Sequence, residues 1–433
     1  MAHDPSITQP PRKSVYDTVF FCSYVSNFLM LIAVSLMFRY ADFVKSLGGN
    51  EANLGMIVGL GTLGAILFRF VQGPAIDHYG PVAVWIVSLA GLAISLVLHL
   101  TIQQIDGWPV ILVRGLMNLC VAGVFGAWLS FVSLRVPADR VAEVIGVVGT
   151  SGFLGMGLGP VIGDWIFDQP WQVPVQVRTM FLTAAGIVTA SMVFPAIAGW
   201  LESRAHGGYR RLTADSRQRH RTGMAAMIRK YHPGFLLVVA AVMGMTISLP
   251  GTFLPLFVEE LGFVQLKIFF VTYNAVAFVS RLLFRMAPSR LGLRNTILAG
   301  LGFMGTSMLL YNVVDSPGDL VWPAIAGGLA HSFLFPAVVA GGTAFFPREN
   351  RGLATSLMLA MYDFGVLLGM PLAGWSVIVA RQAGWSGYSF LFGMVSVLLA
   401  FTAVALCFLY RRGDGSELSR RTGTAASPSG NPS

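Results

Sequence analysis

Twelve apolar runs, each near the length needed to cross a bilayer, fill this chain almost end to end, over residues 17–38, 51–72, 82–101, 109–134, 141–166, 179–201, 234–258, 267–286, 295–314, 320–346, 353–379 and 388–410. A helix needs about 20 apolar residues to span the hydrocarbon core. The pattern therefore predicts an all-α, polytopic membrane protein of twelve transmembrane helices.

Composition agrees, with 55% hydrophobic and 11% charged residues and a mean hydropathy of +0.68, far from the balance of a soluble domain. The formal charge of +9 is an orientation signal rather than a nucleic-acid footprint. With residue 1 inside, 21 of the 29 Lys and Arg fall in inner segments, whereas outer segments hold only Arg39, Lys45, Arg178, Lys267 and Arg381. This bias predicts both termini and the central loop in the cytoplasm, in a bacterial-type inner membrane. Cys22, Cys120 and Cys407 lie inside apolar runs without disulfide or metal spacing, so no metal is expected and small apolar packing is their role. The first run is too long for a signal peptide and lacks a small-residue cleavage site.

The longest polar break, 202–233, carries eight basic and two acidic residues and divides the spans six and six. The expected organisation is a cytoplasmic segment 1–16, a six-helix bundle 17–201, the basic loop 202–233, a second bundle 234–411 and a polar tail 412–433, expected to be disordered. Halves of equal orientation invite a search for a parallel repeat. An offset of 212 aligns Ala65 with Ala277, Arg69 with Arg281, Ala75 with Ala287 and Gly80 with Gly292. An offset of 210 aligns Pro137 with Pro347, Asp139 with Glu349, Gly155 with Gly365 and Gly159 with Gly369.

Two signatures accompany the repeat. GPAIDHYG after span 2 presents Gly73, Asp77 and Gly80, and GMGLGPVIG in span 5 presents Gly155, Gly159, Pro160 and Gly163. With the twelve-span repeat, these resemble the major facilitator superfamily, over essentially all of 17–411. The resemblance implies the major facilitator fold, two pseudo-symmetric six-helix bundles. In that family the first signature is a turn whose carboxylate meets the N-terminal end of helix 11 and latches the outward-facing state. Pro81 and Val82 stand here where basic residues usually follow, so Arg69 and Arg140 are candidate partners for Asp77, with a solvated turn the plainer alternative. The second resembles the antiporter signature, although its glycines also fit ordinary close packing. Pro160 removes a backbone donor, so span 5 is expected to act as a hinge or as a packing seam between the halves. SRLLFRMAPSRLGLRN and PRENRGLATSLMLAMYDFGVLLGMPLAG resemble the bacterial exporters of sugars, drugs and metallophores.

Charge deep in a bilayer is costly and marks function. Arg114 and Asp363 are read as the two well-buried charges. Arg114, with Asn118 one turn on, suits an anionic or hydrogen-bonding group, or else snorkels to the outer surface. Asp363 lies roughly 15 Å from the cytoplasmic end, and a carboxyl that is neutral in one conformation and ionised in another can carry a proton. His331 has a similar depth on the next span, which suggests a His331 and Asp363 proton-handling dyad; a packing histidine is the alternative. Because spans 1, 4, 7 and 10 line the cavity in the family, Tyr24, Asn27 and Thr246, with Tyr273 and Asn274 of span 8, form a pool of substrate contacts or of interhelical hydrogen bonds. Arg39, Asp42, Glu259 and Glu260 read as a solvated rim or an outer gate.

The expected activity is proton-coupled efflux of a small organic molecule by alternating access, working as a monomer. The alternatives are a proton-linked uptake symporter and a transporter-like sensor that does not translocate. No GxxxxGK[ST] loop occurs and no His, Asp, Ser or Cys cluster suggests an enzyme, so neither catalysis nor a cofactor is expected.

Overall fold

The computed structural model describes residues 16–136, 140–206, 224–284, 290–347 and 350–409. The extreme N-terminal segment, the polar tail, most of the central basic loop and the repeat positions Pro137, Asp139, Ala287 and Glu349 lie outside these. The described chain is helical, with no strand among the described residues. Its long stretches are α1 (Thr18–Ser46), α2 (Glu51–Tyr79), α3 (Pro81–Thr101), α4 (Trp108–Arg135), α5 (Val141–Phe167), α6 (Val173–Arg204), α7 (Leu236–Glu260), α8 (Lys267–Leu283), α9 (Leu293–Val313), α10 (Pro317–Ala344), α11 (Arg351–Gln382) and α12 (Gly387–Leu409). Ten are long and apolar enough to cross a membrane; α5 and α8 correspond to the other two expected spans. A short helix, Met224–Tyr231, lies within the expected central loop.

Helix ends follow local chemistry. Asp17 caps α1 by accepting from the Phe20 amide at 2.9 Å, which satisfies one of the orphan donors of a first turn. Asn50 caps α2 in a reciprocal box with Asn53. Gly80 and Gly292 end one helix region and start the next at φ of 84° and 79°, a conformation that a Cβ disfavours. They are the pair matched by the 212 offset, so the repeat extends to backbone geometry.

Packing repeats too. In the first half α1 packs on α5 and α6, α4 on α2 and α3, and α3 on α6. In the second, α7 packs on α11 and α12, α10 on α8 and α9, and α9 on α12. The halves meet where α2 crosses α11 and α5 crosses α8, the same crossing with the roles exchanged. Lipid is as apolar as leucine, so close backbone approach at small residues holds such helices together. A Cβ on Gly155 would come 2.7 Å from the Phe28 carbonyl oxygen and 3.0 Å from the Leu31 Cβ, and one on Gly159 would meet Ser35 and the Ile32 carbonyl. Their repeat mates Gly365 and Gly369 press in the same way on Ala241 and Met245 of α7. The glycines of the second signature therefore seat α5 on α1 inside one half. Gly155 and Gly159 face α1 of their own bundle, while the opposite face of α5 packs on α8 of the other half.

Candidate transport site

One end of the molecule, opposite the end where α6 stops and α7 starts, is held together across the halves by charge. Arg39 of α1 donates to Asp164 of α5 at 2.6 Å and to the Val264 carbonyl of the other half at 2.6 Å. The second Asp164 oxygen accepts from the amides of Leu266 and Lys267, at 2.9 and 2.8 Å, where α8 begins and its dipole favours an anion. Arg39 is 2% exposed and Asp164 0%, so of the two expectations for Arg39, a solvated rim or an outer gate, burial removes the rim. Around this knot Lys45 pairs with Glu259, and Arg381 donates to Glu51 at 2.8 Å and to Glu260 at 2.6 Å. Lys45–Glu259 and Arg381–Glu51 thus bridge the halves, and Glu260 holds Arg381 from within the second half.

At mid-depth a further ion pair crosses the halves. Arg69 lies ten residues before the end of α2 and Asp363 twelve residues into α11, about 15 and 18 Å from that end at 1.5 Å per residue. Arg69 Nε donates to Asp363 Oδ2 at 2.6 Å. Arg69 is therefore not the partner of Asp77, which is exposed and makes no ion pair with a described residue. Arg140 lies 5.7 Å from the Tyr16 ring. The first signature is itself helical through Tyr79; Gly73 lies inside the helix, and Gly80 alone makes the turn.

His331 makes no ion pair with a described acid: its Nδ1 is 2.9 Å from the Tyr273 hydroxyl. The expected dyad does not form in this conformation, since Asp363 is turned to α2 and His331 to α8. The remaining candidates divide. Tyr24 shares a hydrogen bond of 2.9 Å with Thr150, and Asn27 donates to Ser151 at 2.7 Å, both joining α1 to α5. Thr246 bonds the Val242 carbonyl of its own helix at 2.9 Å, and Asn274 bonds the Phe270 carbonyl at 2.8 Å. The side-chain oxygens of Asn27 and Asn274 are buried without a partner, the kind of group that a ligand or a water satisfies. Arg114 lies 4.2 Å from the Tyr40 ring with its Nε unpartnered, and Asn118 is half-buried one turn on. Arg114 is thus turned inward on α1, with no snorkelling.

The Major Facilitator Superfamily model matches residues 18–326 and 268–430. The chain belongs to this superfamily. An uncharacterised major facilitator transporter of Pseudomonas aeruginosa is 26% identical over 372 residues, covering 83% of this chain and 85% of its own. The staphylopine export protein of Staphylococcus aureus is 20% identical over 369 residues, covering 80% and 88%. Among solved structures, a nucleoside transporter superposes with a TM-score of 0.69 at 16% identity, covering 90% of this chain and 99% of its own. A D-xylose-proton symporter gives 0.68 at 13%, covering 89% and 96%. At these identities the solved structures establish the fold. This chain is thus a major facilitator membrane transporter.

Within this major facilitator protein, sequence reasoning missed Arg281 and Arg69 as half-buried charges at the crossings and the buried Arg39–Asp164 knot. Arg281 was visible only as a repeat mate of Arg69. The usable signal was that both cations interrupt apolar runs at matched positions.

Proposed function

We propose that this transporter exports a small organic molecule in exchange for protons, with Asp363 as the proton-carrying group and Arg69 as its switchable partner. The observation that carries the reading is the Arg69–Asp363 pair, which joins α2 to α11 at mid-depth. An ionised carboxylate there is held by the guanidinium, and a protonated one loses most of that attraction. Protonation therefore loosens the α2–α11 crossing, and deprotonation restores it. Two bundles around a midplane site convert such a change into rocking.

The basic inner loops support cytoplasmic termini in an inner membrane. On that orientation the Arg39–Asp164 knot is the periplasmic gate and the described state faces inward. The cycle then runs as follows. With the outer gate shut and Asp363 ionised on Arg69, cargo enters from the cytoplasm. After the outer gate opens, cargo leaves and a proton takes its place on Asp363, freeing Arg69. Return inward releases the proton to the cytoplasm and the pair reforms. The protein acts as a monomer, since each copy holds both bundles and both crossings. Its relationship to a staphylopine exporter supports the outward direction.

The test is dissipation of a pH gradient in proteoliposomes carrying wild type or Asp363→Asn, challenged with sugars, cationic drugs, organic acids and metallophore-like chelators. Proton flux evoked by a compound in wild type and lost in the variant supports the assignment. Equal flux in both moves the coupling group elsewhere. Flux that runs in the same direction as the compound replaces exchange by proton-linked uptake.

A further inference from the structure

The two crossings between the halves are built alike but charged differently. At one, Arg69 of α2 faces Asp363 of α11. Applying the offsets of the repeat, 212 for Arg69 and 210 for Asp363, gives Arg281 of α8 and Phe153 of α5. These two residues are indeed in contact: the Arg281 guanidinium carbon lies 5.5 Å from the centre of the Phe153 ring. The carboxylate that neutralises Arg69 is replaced at its repeat position by an aromatic ring.

Arg281 is half-buried and makes no ion pair or hydrogen bond with any described residue. A ring face attracts a cation, but it carries no countercharge, and an unneutralised guanidinium inside a bilayer protein is costly. Its surroundings are apolar and aromatic, with one hydrogen-bonding pair. Phe153 lies 6.5 Å from Phe278 and 6.1 Å from the His331 ring, and His331 lies 5.7 Å from Phe335. The Tyr273–His331 hydrogen bond stands in the same cluster. Phe153, His331 and Arg281 come from three helices, α5, α10 and α8, of both halves, so a ligand held by them touches both bodies that move in a transport cycle.

We propose that Arg281, with Phe153, Phe278 and Phe335, binds the acidic group and apolar body of an amphiphilic organic anion, which is the cargo. The guanidinium takes the acid through paired N–H donors, a geometry that suits carboxylate and phosphate alike. The rings cover the apolar body, and Tyr273 and His331 offer a hydroxyl and an imidazole for a polar substituent. The proposal rests on the transport reading above, because it names the cargo of that cycle. It leaves Asp363 free for the proton: cargo charge is met by Arg281, and coupling charge by Arg69 and Asp363.

The experiment is thermal unfolding of the detergent-purified full chain against matched probes: 4-phenylbutyrate, octanoate and phenyl phosphate as anions, 4-phenylbutyramide as the neutral isostere and 4-phenylbutylamine as the cation. Anions are expected to stabilise wild type saturably, with the amide and the amine weaker by roughly tenfold or more, the usual worth of a charged hydrogen bond. Comparing phenyl phosphate with the two carboxylates tells which acid the site prefers. Arg281→Gln should weaken anion binding by a similar factor, while Arg281→Lys retains part of it. Stabilisation by amide or amine equal to that by the anions, no stabilisation by any anion, or full anion binding in Arg281→Gln would overturn the proposal. The comparison of probes on wild type stands even if a variant fails to fold. Anion binding that persists in Asp363→Asn, with proton flux also unchanged, would sink the coupling reading and leave the anion site standing.

Discussion

Arg39 and Asp164 meet at 2.6 Å with both side chains almost wholly enclosed, and each also reaches the other half of the chain, Arg39 to the Val264 carbonyl and Asp164 to the first amides of α8. A charge pair inside one bundle thereby becomes a clasp between two. Arg39 also lies 4.9 Å from the Phe167 ring, so its guanidinium is boxed in by groups from α1, α5 and the segment before α8.

Removing the acid strands the cation and the helix amides together. Asp164→Ala should destabilise this closed state by about 3–5 kcal/mol, as for other broken buried pairs. The check is twofold: a lower melting temperature in detergent, and faster labelling of a cysteine placed at Leu266, which is fully buried beside Asp164. Unchanged labelling would mean that the clasp does not hold the gate.

Charge removal at Arg69 and Asp363 should be non-additive. Asp363→Asn alone leaves Arg69 without its countercharge, and Arg69→Gln alone leaves the buried Asp363 carboxyl without its cation. The double variant Arg69→Gln, Asp363→Asn should be more stable than either single variant, by about 1–3 kcal/mol of coupling energy, the range for residues in one network. A double-mutant cycle of melting curves measures it, and simple additivity would argue against a working pair.

Steric seating on α1 and α7 should make matched glycines equally intolerant. A methyl group at Gly365 would run into the backbone of Ala241, and one at Gly155 into that of Phe28. Gly155→Ala and Gly365→Ala should each lower stability by about 1–3 kcal/mol, the usual cost of overpacking. Gly73→Ala, whose Cβ meets nothing within 4 Å, is the control and should change stability little.

Acid should selectively weaken the other end of the molecule. Burial raises the Asp17 carboxyl, but the Arg135 guanidinium and the Phe20 amide outweigh it and hold the group below the ordinary aspartate range. A depressed folded value stabilises above the unfolded value and is lost as pH falls through the folded one. Wild type should therefore melt above Asp17→Asn at neutral pH, and the gap should close below about pH 4. A constant gap across that range would exclude the linkage.

Much of this architecture could be read before any coordinates. Run lengths fixed the helices because a bilayer imposes one length scale, and the offset of 212 matched the two glycine turns, whereas the matched crossings emerge only from the packing. The candidate site was less legible. Asp363 stood out because an acid in an apolar run has few innocent explanations, whereas its partner is 294 positions away, and no periodicity reports which helix face turns toward another bundle. His331 and Asp363 share a depth yet point to different neighbours, since depth follows from residue count and azimuth follows from packing. Arg39 and Asp164 sit near helix ends, where solvent is the ordinary companion of charge, and only the fold shows that a second half covers them.

Duplicated halves would ordinarily give a rocking machine two interchangeable fulcrums. Phe153 standing where its repeat mate is Asp363 ends that equivalence. One crossing holds a cation beside an acid, and the other holds a cation beside a ring. On the proposed cycle, ion and freight never compete for a single side chain, and a lesion on either side should silence one input while leaving the other readable.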